Sequence, residues 1–282
     1  MRVRVADHFG MCFGVRDAIE LALDLTGRQP ITILGDLVHN PDVVAEIDAA
    51  GAARARDRED VHTTAVLLTA HGTSDRVKLE LRRQGHEVHD ATCPLVTRAH
   101  LAAKRLVAEG RHPVVVGQAG HVEVRGLVGD LDEYTIVADK SEIEKLDARL
   151  LHEPRARLGI VAQTTQPLER VQDIVAAIRR RFPEADVRFI DTVCQPTKDR
   201  QQSLRDLVRD SDVVVVVGGS ESNNSRKLAE LAQQLGRPAH LVAGSSELRP
   251  EWFADCRVVG LTAGTSTPDR VIDEVKAWLE VL

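Results

Sequence analysis

The sequence predicts an α/β protein of three pseudo-threefold-related αβα units, each with a mainly parallel sheet, arranged around a central cavity. Three observations predict it. Short β-branched runs alternate with helical patterns along the chain, which implies parallel strands joined by right-handed crossovers. The same order of elements recurs three times. Aromatic residues are 3% of the chain against 43% hydrophobic residues, so the core is mostly Val, Leu, Ile and Ala. Such a core suits strands covered by helices on both faces.

Around Cys12, Cys93 and Cys194 the same local order recurs, a β-like run, the cysteine and a helical pattern: RVRVADHFGMCFGVRDAIELAL, HEVHDATCPLVTRAHLAAKRLVAEG and VRFIDTVCQPTKDRQQSLRDLVRD. A strand that ends abruptly in polar residues follows, as ITILGDLVHN, HPVVVGQAGHVE and DVVVVVGGSESNNS. Then comes a second strand, polar loop and helix, as TAVLLTAHGTSDRVKLELRRQG, RLGIVAQTTQPLERVQDIVAAIRRRF and CRVVGLTAGTSTPDRVIDEVKAWL. The units therefore span 12–92, 93–193 and 194–282. The first two end in a strand that leads into the next cysteine, but the third does not. The N-terminal VRVADH supplies that strand, so residues 1–11 complete the third unit and close the ring.

Composition narrows the function classes. A formal charge of −6 argues against a nucleic-acid partner, while a small anionic substrate remains compatible with a locally positive pocket. The longest pure apolar run, Val213–Val217, is far too short to span a membrane, and MRVRVADHFG does not read as a secretory signal. The cytosol is the expected compartment. Four cysteines in a cytosolic chain point to metal ligands or buried thiols rather than disulfides. With no CxxC pair, a zinc finger or ribbon is disfavoured.

Cys12, Cys93 and Cys194 stand at the same place in the three units, which favours joint ligation over three unrelated core thiols. Three thiolates would leave one iron of a [4Fe-4S] cluster without a protein ligand, open to act on a substrate oxygen. Cys256 falls outside the pattern and reads as a buried structural thiol.

In parallel sheets, ligands bind beyond the carboxyl ends of the strands. His39, His71 and His121 occupy such loops and suit an anion. The other histidines (His8, His62, His86, His89, His100, His112, His152 and His240) read as surface or satisfied core residues. Ser222, Asn223 and Asn224 take the corresponding place in the third unit. With Thr164, Thr165 and Ser266 they offer hydroxyls and amides to phosphate oxygens. Ser225 and Thr267 read as plain helix caps. Glu123 is the one carboxylate among these clusters, suited either to proton delivery or to the first turn of a helix. No P-loop or GxGxxG stands in a strand–helix context, so nucleotide binding is not supported.

These motifs resemble those of the LytB/IspH family of 4-hydroxy-3-methylbut-2-enyl diphosphate reductases. GMCFGVRDAI, VHN, HGTS, DATCPLVT, GHVEVRG, QTT, TVC-x-PT-x-x-RQ, SNNSRKLAEL and TAGTSTP occur in the family's order over nearly the whole chain. The resemblance implies a [4Fe-4S] cluster on Cys12, Cys93 and Cys194. It implies a diphosphate substrate held by His39, His71, His121, Thr165, Ser222, Asn223, Asn224 and Ser266. Glu123 takes the place of the family's proton donor, with Thr164 as its link to the substrate oxygen. Ferredoxin or flavodoxin is the implied electron donor. Asn223 stands where a serine is usual, Val122 where a proline is usual, and Gln118 where histidine is common. A quinolinate-synthase-like [4Fe-4S] dehydratase and a non-catalytic iron–sulfur sensor are the competing readings. The VHN, HVE and SNN clusters favour the diphosphate.

Overall fold

A computed structural model describes residues 1–147, 153 and 155–282 of the chain. His152 lies outside the described residues. The chain divides into two compact units, one of Met1–Glu20, Val38–Gly51 and Gln195–Leu282, the other of Leu21–Leu37 and Ala52–Cys194. Among the described residues the strands form three four-stranded sheets, and every pairing in them is parallel.

The unit that contains both termini holds one sheet. Its strands are β1 (Arg2–Val5), β10 (Val213–Val217), β11 (Ala239–Val242) and β12 (Val258–Ala263), in the order β11-β10-β12-β1. The other unit holds two sheets. The first has β2 (Ile31–Leu34), β3 (Ala53–Ala55), β4 (Ala65–Leu68) and β5 (Glu87–Asp90), ordered β3-β2-β4-β5. The second has β6 (His112–Val116), β7 (Thr135–Val137), β8 (Arg157–Ala162) and β9 (Asp186–Phe189), ordered β7-β6-β8-β9. The three orders are the same permutation. The N-terminal strand β1 pairs with β12, Val3 opposite Val259 and Val5 opposite Leu261, in the place that β5 and β9 hold in the other sheets.

Burial on both faces explains the unbroken valine run. In β10, Val213, Val215 and Val217 face one core with α9 (Asp269–Val281). Val214 and Val216 face the opposite core, with α7 (Gln195–Arg209) and α8 (Asn223–Gln234). A period of two thus sorts identical residues onto two cores. The helices bury their apolar stripes at the expected spacing. In α4 (Pro94–Ala108) these are Ala99, Ala103 and Leu106; in α6 (Leu168–Arg181), Val171, Ile174, Val175 and Ile178. The other α-helices among the described residues are α1 (Phe13–Thr26), α2 (Pro41–Ala49), α3 (Asp75–Arg83) and α5 (Val122–Val128).

Within the two-sheet unit, α5 lies directly on the loop after β4. A Cβ on Gly126 would stand 2.7 Å from the carbonyl oxygen of Gly72. The turn after α5 returns to the same place: the Asp130 carboxylate accepts the Asp75 and Arg76 N–H groups at 2.9 and 3.0 Å. It thereby satisfies donors at the start of α3 that the helix leaves unpaired, beside the Ser74 cap.

Because the obstacle is backbone rather than a movable side chain, Gly126→Ala should destabilise the fold by about 1–3 kcal/mol, as overpacking does. Urea unfolding checks this; an unchanged midpoint would mean that α5 moves off the loop without strain.

Candidate active site

The three repeated cysteines share one backbone device. The Cys12 N–H donates to the Thr265 carbonyl at 3.0 Å, Cys93 to Ala70 at 3.1 Å, and Cys194 to Thr164 at 3.0 Å. Each carbonyl belongs to the loop that leaves a strand, β12, β4 or β8. Helices begin immediately after each cysteine, at Phe13, Pro94 and Gln195. All three are half-buried, and among the described residues no disulfide joins any cysteine. Cys256 lies elsewhere and is only partly buried rather than buried, packed on the β10–β12 core with its Sγ 3.7 Å from the Trp252 carbonyl, and partial burial pushes its thiol pKa up. Among the described residues, no three His, Cys, Asp or Glu side chains gather tightly enough to enclose a single metal ion. A four-iron cube is larger than one ion, and its thiolates attach to different corners rather than converging on a point.

In the two-sheet unit, α5 carries the acid. Glu123 is 2% exposed, and Thr164 binds it twice. The Thr164 N–H donates to one carboxylate oxygen at 2.6 Å, and its hydroxyl donates to the other at 3.0 Å. Burial pushes the Glu123 pKa up from 4.5 to about 7, against the downward pull of the two Thr164 bonds. His121 caps α5, its Nδ1 accepting the Glu123 N–H at 3.1 Å. That bond requires an unprotonated Nδ1, so the neutral ring carries its proton on Nε2. His71 stands edge-on to His121, ring centres 5.9 Å apart, with its Nδ1 3.5 Å from the Thr69 hydroxyl. Thr165 accepts a bond from Gln163 Nε2 at 3.3 Å. This unit therefore brings together Glu123, Thr164, Thr165, His71 and His121.

The unit with the termini brings together the other polar residues. The Ser266 hydroxyl donates to the His39 carbonyl at 3.2 Å, which fixes the loop that bears this histidine. Ser222 caps α8, and Asn223 and Asn224 follow in its buried first turn. The Asn224 Nδ2 is buried with no hydrogen-bond partner among the described residues. A buried amide donor without an acceptor is costly, and an anion bound beside α8 would satisfy it.

Two expected helix caps are corrected. Ser225 is not a cap: α8 starts earlier, at Asn223, and Ser222 accepts the Ser225 N–H at 3.4 Å. Thr267 is not a cap either. Its hydroxyl donates to the Val217 carbonyl at 2.9 Å, and Pro268 holds the cap position of α9.

A family model described as "LytB protein" matches residues 3–280. The 4-hydroxy-3-methylbut-2-enyl diphosphate reductase of Chromohalobacter salexigens is 37% identical, over 100% of this chain and 90% of that protein. The enzyme of the same name from Methylibium petroleiphilum is 40% identical, over 99% and 85%. The chain belongs to the LytB family. The solved structure of the E-1-hydroxy-2-methyl-but-2-enyl-4-diphosphate reductase of Plasmodium falciparum superposes on the LytB chain with a TM-score of 0.92 at 27% identity. That match covers 100% of this chain and 87% of the other. A second solved structure, of the terminal enzyme of the non-mevalonate pathway, matches with a TM-score of 0.70 at 34% identity over the whole of both chains.

Gln163 and Asn40 stand inside the QTT and VHN motifs of this LytB chain, but the sequence alone assigned neither a role. Gln163 is wholly buried and joins three loop residues: its Oε1 accepts the Gln118 N–H and the Gln166 amide, both at 3.1 Å, besides the bond to Thr165. Asn40 caps α2 by accepting the Asp42 and Val43 N–H groups at 2.9 and 3.2 Å, next to His39. The signal was present in both cases, as an amide flanking a motif residue at a strand or helix end.

Glu123 gives a pH test of its own environment. The folded chain holds this proton more tightly than the ordinary value of 4.5 would, so the group's stability contribution is fully present below pH 4.5. It is lost as pH rises through about 7. Glu123→Gln cannot titrate. Its unfolding free energy relative to the parent should therefore rise by roughly 3 kcal/mol from acidic to mildly alkaline pH. Urea unfolding at both ends of that range checks it; a constant difference would return the carboxyl to its ordinary pKa.

Proposed function

We propose that this chain converts (E)-4-hydroxy-3-methylbut-2-enyl diphosphate into isopentenyl and dimethylallyl diphosphate, the last step of the methylerythritol phosphate route to isoprenoids. Two electrons and two protons enter, one C–O bond breaks, and water leaves. The observation that carries the reading is Glu123, a buried acid still protonated near neutral pH and bonded to a threonine hydroxyl. Family membership supports it over a quinolinate-synthase-like dehydration.

The donor set fits an iron–sulfur cluster. Three thiols at matching positions, each on a backbone held by a strand-end carbonyl, suit a [4Fe-4S] cube with one iron left without thiolate. Cys12, Cys93 and Cys194 would hold it, and when bound it supplies the electrons one at a time and a Lewis-acidic iron. Ferredoxin or flavodoxin would deliver those electrons in the cytosol.

The remaining roles belong to side chains. Hydroxide is a poor leaving group, so the departing oxygen must be protonated. The Glu123 carboxyl can donate to the Thr164 Oγ1 when neutral, and the Thr164 hydroxyl can then donate onward. Exclusion of bulk water keeps that proton from leaking away. His39, His71 and His121 supply N–H donors to the diphosphate. Thr165, Ser222, Asn223, Asn224 and Ser266 add hydroxyl and amide donors, with Asn224 Nδ2 the amide still lacking an acceptor.

Anaerobic turnover with a strong one-electron reductant tests the reading, and both C5 diphosphates should form. Cys12→Ser, Cys93→Ser and Cys194→Ser should each lose the cluster, whereas Cys256→Ser should keep about four irons per chain. A cluster that depends on Cys256 would overturn the ligand assignment. Glu123→Gln should retain cluster and substrate binding while turnover falls at least ~100-fold, the usual cost of losing a general acid. Parent turnover should also decline as pH rises through about 7, where Glu123 loses its proton. A Glu123→Gln rate within a few-fold of the parent would assign the proton to another group.

A further inference from the structure

The segment that leads to Cys12 has the longest way to travel from its sheet. The β1 ladder makes its last bond at Ala6, whose N–H donates to the Leu261 carbonyl at 2.9 Å, and five residues then intervene before Cys12. A tether of that length does not fix a side chain by backbone geometry alone, because each loosely held residue retains conformational freedom. In this chain it is held from outside. The Ser203 hydroxyl accepts the His8 N–H at 3.0 Å. Gly10 adopts φ of +70°, a left-handed conformation that other residues rarely take, and its N–H donates to the Ala263 carbonyl at 3.3 Å. Arg16 reaches back to the Met11 carbonyl at 3.4 Å while pairing with Asp269 at 3.1 Å.

A buried cation, Arg200, adds a further contact. This side chain is buried, on the second turn of α7, and its guanidinium donates from Nη2 to the Gly10 carbonyl. From Nη1 it donates to the Pro196 carbonyl at 2.9 Å. Pro196 lies two residues after Cys194 in the chain, and Gly10 two residues before Cys12. One rigid, planar cation therefore spans the backbone beside two of the three proposed ligands. A lysine ammonium, a single point on a flexible stem, does not reproduce that fork.

We propose that Arg200 is a positioning residue for the iron–sulfur centre, fixing the Cys12 turn against the start of the helix that follows Cys194. This rests on the cluster assignment made above. Arg200 acts through backbone, so its effect is on how firmly and in what geometry the thiolates are held.

The experiment compares parent, Arg200→Lys, Arg200→Met and Ser203→Ala, each reconstituted anaerobically with iron and sulfide. Three readouts are taken: iron and sulfide per chain, the EPR spectrum of the reduced cluster, and the rate of cluster bleaching in air. Arg200→Met should bleach several-fold faster than the parent and show altered g-values or line shape. Arg200→Lys should fall between the two, and Ser203→Ala should lie close to the parent because it removes one anchor of several. A merely structural arginine would lower the unfolding midpoint of the cluster-free chains and leave the EPR spectrum and the bleaching rate of the loaded ones unchanged. That result overturns the proposal. If Arg200→Met does not fold, Arg200→Lys decides alone: a parent-like spectrum and bleaching rate overturn the proposal. A parent chain that takes up no cluster would instead defeat the cluster assignment itself, so the two failures are distinct.

Discussion

The site depends on a hydrogen bond that lies just past the edge of each sheet. Parallel ladders do not stop with the strands: Ala6, Ala91 and Ile190 still donate to Leu261, Leu68 and Ile160 at 2.9, 3.1 and 2.9 Å. The chain then loops and docks again through the cysteine N–H onto the carbonyl of the neighbouring loop. Cys12, Cys93 and Cys194 are thereby held beyond carboxyl edges, where backbone groups freed from the ladder are available to ligands. The bond gives each cysteine N–H a fixed acceptor, so the dock is directional.

The loops between the last ladder bond and the dock differ in length: five residues before Cys12, one before Cys93 and three before Cys194. This is why the repeat is legible as an order of elements and not as identity of residues. Strands were legible because valine-rich runs stop abruptly at polar residues, and the cysteines because each follows such a run. His121 and Glu123 were legible as a short pattern opening a helix. Arg200 stood in the TVC-x-PT-x-x-RQ motif, but its role was not legible, since its partner Gly10 lies 190 positions away. Ser225 and Thr267 were misread for a related reason: a hydroxyl near a helix start caps only if the helix begins where the pattern implies, and a start shifted by a residue or two gives the cap to another group. Local rules identified the right residue types there but not their partners.

Thr164 shows how acid and thiol are coupled within one unit. Its N–H and hydroxyl go to Glu123, while its carbonyl receives the Cys194 N–H. One residue thus faces the proposed proton donor on one side and a proposed cluster ligand on the other. The two bonds to Glu123 favour the carboxylate, yet burial outweighs them and leaves the group near neutrality at about 7. Weaker bonding would push the pKa higher and hold the proton too tightly to give up, whereas more solvent would restore an ordinary carboxylate with no proton to give. The value follows from two opposed effects, burial and the Thr164 bonds, of which burial is the larger. A shift of the Thr164 peptide would therefore change the acid's affinity for its proton and the seat of Cys194 together. The stability the fold gives up to keep Glu123 buried is the physical cost of the proton-donor role proposed for it at neutral pH.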